Sequence, residues 1–207
     1  MFGLTPREIV TLRALSTPQK IQDYLDRLPI NFEKNGETLM SPRRVLRERT
    51  AHCMEGALLA AVALWVHGEK PLLLDLKTDP EDDEHVVALF QVNGYWGAIS
   101  KTNHVTLRYR DPVYKSVREL AMSYFHEYFL NTNGKKTLRS FSRPYNLQRL
   151  GTSWITAEEN LWHIAKDLDR IPHFPTVPSK NRRRIRAASA IERRAGKLTE
   201  WKRASRR

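Results

Sequence analysis

Cys53 is the only cysteine in the 207-residue chain, and it follows Thr50-Ala51-His52 at the head of an Ala/Leu-rich run. A thiol at a helix start meets free amides and the positive end of the helix dipole, and both favour the thiolate. That anion is the nucleophile of acyl transfer, and cysteine is the side chain most readily activated for the task. The competing reading is structural: a lone cysteine is often a small buried hydrophobe.

His85 supplies the base that such a nucleophile needs, because imidazole titrates near working pH. It opens an apolar run directly after the acidic stretch Asp79–Glu84. Read structurally, it is a strand-end histidine facing water. Of the six other histidines, His126-Glu127 is not followed by the second histidine of a zinc-protease helix. His52 adjoins Cys53, and neighbours on a helix point in different directions, so it is set aside.

The elements that would carry these residues can be read from periodicity and caps. Thr5-Pro6-Arg7-Glu8 is a capping box opening a helix through about Leu15, and Thr17-Pro18 opens another through Leu28. Asn35-Gly36 reads as a turn, and Ser41-Pro42 starts a short helix to Arg49. Cys53–Val66 is apolar nearly all round and ends at His67-Gly68, which marks a helix central to the core. Pro71–Leu76 and His85–Val92 read as strands. Asn93-Gly94 then turns the chain into a third strand, Tyr95–Ile99, because both turn positions need positive φ. Val105–Tyr109 is expected as a further strand. Capping boxes at Ser116–Glu119 and Thr156–Glu159 predict helices through about Tyr128 and Leu168. Helices, then an antiparallel sheet, then helices again define an α+β fold.

Charge divides the chain. Ser179–Arg207 holds twelve Lys/Arg against Glu192 and Glu200, whereas the first 178 residues carry 23 basic and 21 acidic side chains. The basic character therefore belongs to the tail. Pro172, Pro175 and Pro178 mark residues 171–178 as an extended linker between a domain over 1–170 and that tail. Ile185, Ala188, Ala195 and Leu198 give the tail a thin apolar stripe. Such a segment suits nucleic acid or an acidic partner as a helix, or water as a solvated, partly disordered tail.

The remaining composition bounds the class. One cysteine excludes an internal disulfide framework and a Cys-rich zinc site. No apolar run reaches the roughly 20 residues of a membrane-spanning helix. The opening MFGLTPREIV lacks a basic stretch followed by an apolar one, so no secretory signal is expected and a cytoplasmic location is.

Cysteine at the head of an Ala/Leu-rich helix, then histidine on a strand, then the Tyr95-Trp96 hairpin strand resembles the transglutaminase-like superfamily. The resemblance covers roughly residues 17–110 and includes Thr17–Leu25 as a lead-in helix and Ser41–Leu46 as the short helix before the cysteine. It implies a permuted papain-like core in which a Cys-bearing helix packs on an antiparallel sheet carrying histidine. It also implies acyl transfer from peptide or protein amides, with water or an amine as acceptor and no cofactor or metal. Family members place aspartate third, shortly after the hairpin. Here Ser100 stands at that place, with Asn103 and Asp111 as the other residues able to orient the imidazole. Without the aspartate, a non-catalytic binding protein that works through residues 179–207 is the second expectation.

Overall fold

The computed structural model describes residues 1–34 and 36–202. Asn35 of the expected Asn35-Gly36 turn, and the last five residues of the tail, lie outside them. Three Pro-started helices come first: α1 (Pro6–Ala14), α2 (Pro18–Arg27) and α3 (Pro42–Glu48). Thr5, Thr17 and Ser41 cap them, each hydroxyl accepting a first-turn amide. Helix α4 (Cys53–Val66) follows, with every residue from Met54 to Leu64 buried. Uniform burial is why its sequence carries no polar face.

Next come β1 (Leu72–Thr78), β2 (His85–Val92), β3 (Tyr95–Ile99) and β4 (Arg110–Tyr114), then α5 (Val117–Ser123), β5 (Leu138–Ser142) and β6 (Tyr145–Asn146). Two short 3-10 turns, α6 (Trp162–Arg170), β7 (His173–Pro175), a further 3-10 segment at Ser179–Arg184 and α7 (Ala190–Gly196) complete the described chain. The seven strands form one open antiparallel sheet in the order β4-β3-β2-β1-β5-β7, with β6 beside β5 on β1. The fold is α+β.

Alternation along the strands builds a core on each face. Leu73, Val86, Ala88, Phe90 and Ile99 pack with α4 and the N-terminal helices. Leu74, Leu76, Val87, Leu89 and Ala98 pack with Leu120, Ala121, Tyr124 and Tyr128 on the other face, where Trp96 also leans. The β2–β3 turn has Asn93 at φ 51° and Gly94 at φ 81°, as a two-residue hairpin requires.

Four expectations are corrected. Residues 105–109 are a loop and the strand begins at Arg110, because Leu107 sits at φ 61° with its N–H on Glu127 and its carbonyl on the Ser100 hydroxyl. Thr156–Glu159 does not start a helix. Asn160 accepts from the Leu39 amide and Arg44, and Leu161 N–H reaches Leu39 O, so the segment is held against α3 and α6 starts at Trp162. Helix α5 stops at Ser123, well short of Tyr128. Within the expected linker, His173–Pro175 pairs with β5 and Thr176 is buried.

Candidate active site

The site assembles where the head of α4 meets the ends of β2 and β3. Cys53 is the first residue of α4 and half-buried. Its amide, like any first-turn amide, has no intrahelical partner. His85, the first residue of β2, is buried. Ala88 pairs with Ile99, so one further step sets Ser100 opposite Val87. His85 and Ser100 are therefore diagonal neighbours on one face.

His85 Nε2 lies 2.8 Å from Ser100 Oγ. The serine hydroxyl donates to the Leu107 carbonyl at 2.5 Å. A hydroxyl has one proton, so Ser100 must accept from His85, and Nε2 carries the hydrogen. That leaves Nδ1 as the lone-pair nitrogen of the ring, and His85 lines the same cleft as Cys53. Ser100 is itself fixed by Gln22 of α2, whose amide accepts the Ser100 N–H at 2.9 Å and donates to its carbonyl at 2.8 Å. Gln22 carries no signal in the sequence that separates it from a surface glutamine.

His52 also belongs to the site. It is the N-cap of α4, with φ −92° and ψ −175°, so the helical geometry that would turn it away from Cys53 does not apply. Its Nε2 faces the Thr38 carbonyl at 2.9 Å and its Nδ1 lies 3.3 Å from the Met54 amide. Burial pushes the Cys53 thiol up, but hydrogen bonds and charge from His52 and His85 outweigh it and bring the thiol down to about 5. The effect is reciprocal. Burial works against an imidazolium at His52, yet the Cys53 sulfur and Glu55 raise that ring to about 9. Glu55, on the same turn, is fully buried and accepts from the His52 amide, Thr38, Met40 and Asn31.

Close packing fixes how near the helix stands to the sheet. A Cβ on Gly56 would come within 2.4 Å of Lys101 Cβ, so only glycine allows this approach. Lys101 follows Ser100, runs its stem past α4 and donates to the Leu25 and Leu28 carbonyls at the end of α2. A buried ammonium at a helix C-terminus is well placed against the dipole.

Asn103 is not brought to His85. Its side-chain amide is hydrogen-bonded to the backbone of Trp201 instead. Asp111 lies in β4 and is exposed. Of the three residues considered for the third position, the structure brings Ser100 to the imidazole.

A cleft of about 280 Å³ opens onto Cys53 and His85. Lys101, Asn103, Tyr128 and Gly196 also line it. The Tyr128 hydroxyl is buried and has no hydrogen-bond partner among the described residues. Farther along β1, Asp75, Glu84 and Asp169 bring carboxylate oxygens within 4.8 Å of one another, and Lys77 pairs with all three.

A half-buried cysteine with one histidine beside it in sequence and another in its cleft, the latter fixed in a single tautomer, is able to act as a thiol nucleophile with a base. No family model matches the chain, and no curated protein matches it. Among the described residues, no helix is long and apolar enough to cross a membrane.

Proposed function

We propose that the chain is a cysteine-dependent acyl-transfer enzyme on a transglutaminase-like core, acting on a peptide or protein amide. The observation that carries this reading is the Ser100–His85 hydrogen bond, which leaves Nδ1 as the basic nitrogen of an imidazole that shares its cleft with Cys53. The thiolate attacks the amide carbonyl and forms a C–S bond. The oxyanion so created meets the free Cys53 amide and the unpartnered Tyr128 hydroxyl. His85, having taken the thiol proton, gives it to the leaving amine as the C–N bond breaks. Water or an amine then attacks the thioester, His85 takes the proton from that acceptor, and the thiolate is released.

Serine in place of a carboxylate orients the ring without adding charge. His52 and His85 together draw the Cys53 thiol down, so the anionic nucleophile does not need charge from the third residue. The test is amide turnover and labelling by a thiol-directed acylating probe. Both should be lost in Cys53→Ala, with the circular dichroism spectrum unchanged. Full turnover by that variant would end the proposal.

A second reading, non-catalytic binding of nucleic acid through the tail, is supported by Arg182 and Arg183, which share a concave surface with Lys135, Lys136 and Arg139. It predicts salt-sensitive binding of RNA or DNA that Arg182→Glu with Arg183→Glu removes. Binding unchanged in that double variant would count against it.

A further inference from the structure

The C-terminal tail re-enters the cleft that holds Cys53. Residues 196–201 are held there mostly through their own main chain, with one side-chain contact, the Glu200 carboxylate accepting from Arg108 at 3.1 Å. Val105 N–H donates to Leu198 O at 3.2 Å, and Glu200 N–H donates to Asn103 O at 2.9 Å. His104 and Thr199 form an antiparallel bridge between these contacts. The Asn103 side chain then closes on Trp201 from both sides, accepting its N–H at 2.8 Å and donating to its carbonyl at 3.0 Å. Upstream, Asn131 Nδ2 donates to the Gly196 carbonyl at 3.3 Å, and His104 Nδ1 lies 3.3 Å from the same oxygen. Apart from the Glu200–Arg108 pair, none of these bonds uses a side chain of the tail.

A main-chain grip is how a sheet edge receives an extended peptide: affinity comes from the backbone, and selectivity from the few positions that are sterically confined. One position here is confined. A Cβ on Gly196 would lie 2.6 Å from Asn131 Oδ1 and 3.0 Å from the Phe129 ring. Gly196, Asn103 and His104 line the same cleft as Cys53 and His85. From these contacts we infer that the Asn103–Val105 loop is a docking site for a polypeptide that ends a helical turn at a glycine in the notch between Asn131 and Phe129 and pairs its main chain beyond it, and that residues 196–201 are its built-in occupant.

The docking stands without any catalytic step. That the same loop receives the acyl donor rests on the acyl-transfer reading. Until the tail leaves, a polypeptide substrate is shut out of it.

The test uses the full-length chain and needs no turnover. Glu200→Pro removes the amide that bonds Asn103 O together with the Arg108 ion pair, and the position lies outside both cores. Cys53 is alkylated in wild type and variant with iodoacetamide and with a bulky peptidyl maleimide. The expected result is that Glu200→Pro speeds the bulky reagent about tenfold, as for the loss of one or two net hydrogen bonds. The synthetic peptide AGKLTEWK, residues 195–202, should restore protection to the variant. The same peptide with alanine for glycine should need about tenfold more to do so. Equal bulky-reagent rates in both proteins, or no protection by the glycine peptide, would overturn the inference. Asn103→Ala, which frees Trp201 from the body side, must give the same acceleration. Glu200→Gln, which keeps the amide, should leave the bulky-reagent rate near wild type. Failure of the acyl-transfer reading registers separately, as iodoacetamide alkylation indifferent to His85→Ala.

Discussion

Ser100 Oγ accepts the His85 Nε2 proton at 2.8 Å because its own proton is committed to Leu107. A neutral hydroxyl thus does the orienting work that a carboxylate does in a charged triad. It fixes the tautomer and supplies no charge to an imidazolium.

Ser100→Ala should therefore lower kcat modestly. Losing one hydrogen bond of about 1.4 kcal/mol corresponds to about a tenfold fall in rate. His85→Ala removes the base altogether and should cost about 10²–10⁴-fold. The two variants are compared by single-turnover acylation with a thiol-directed ester. A Ser100→Ala loss as large as that of His85→Ala would mean that the serine does more than orient the ring.

His52 is expected to set the charge state of the nucleophile. His52→Asn keeps an N-cap acceptor for α4 but removes the imidazole beside Cys53. The pH at which Cys53 becomes reactive should rise from about 5 toward the free-thiol value of about 8.5. The sign carries over to stability. The folded thiol titrates below its unfolded value, so its contribution is full above about 9 and lost as pH falls through about 5. His52 is the opposite case, with a contribution full below about 6.5 and lost as pH rises through about 9. Urea midpoints at pH 5 and pH 7 check this: wild type should lose stability at pH 5 relative to a Cys53→Ala, His52→Asn double variant. Parallel pH profiles of the two proteins would contradict it.

Gln22 holds both the amide and the carbonyl of Ser100 from inside the core. Gln22→Leu leaves those groups unpaired and should destabilise the fold by about 1–3 kcal/mol. It should also slow acylation while the pH onset of Cys53 reactivity stays in place. Chemical denaturation and the alkylation profile separate the two effects.

Gly56→Ala tests the close approach of α4 to the Ser100–Lys101 segment. The added methyl would overlap Lys101 Cβ and force the helix outward, for about 1–3 kcal/mol of destabilisation. A thermal melt indistinguishable from wild type would show that the helix has room to spare.

Local chemistry made much of the frame legible in the sequence. Thr5, Thr17 and Ser41 before proline each cap the helix they announce, and Asn93-Gly94 bounds two strands whose limits, His85–Val92 and Tyr95–Ile99, follow from composition and turn. Where tertiary bonds override local preference, the pattern misleads. Thr156–Glu159 has the letters of a capping box, but Asn160 and Leu161 are engaged by Leu39 and Arg44. Leu107 falls in the alternating stretch Val105–Tyr109, yet its backbone is bent around Ser100 and Glu127. In the site, Cys53, His85 and Ser100 follow from position along the chain. Gln22 is illegible because its role exists only across 78 residues, and of Glu55 only the bond to the His52 amide is local, the others spanning 15 or more residues. His52 reads from the sequence as part of the helix, whereas it is the N-cap just outside it. Asn103, an orienting candidate by type, spends its amide on Trp201.

The most direct test of the central claim is the pH dependence of Cys53 alkylation by iodoacetamide in wild type and His85→Ala. There is one thiol, so the signal belongs to it alone. The account predicts a rate that rises through about pH 5 and then levels, with the rise displaced to higher pH in His85→Ala. A thiol that is inert, or that titrates near 8.5 whether or not His85 is present, would contradict it.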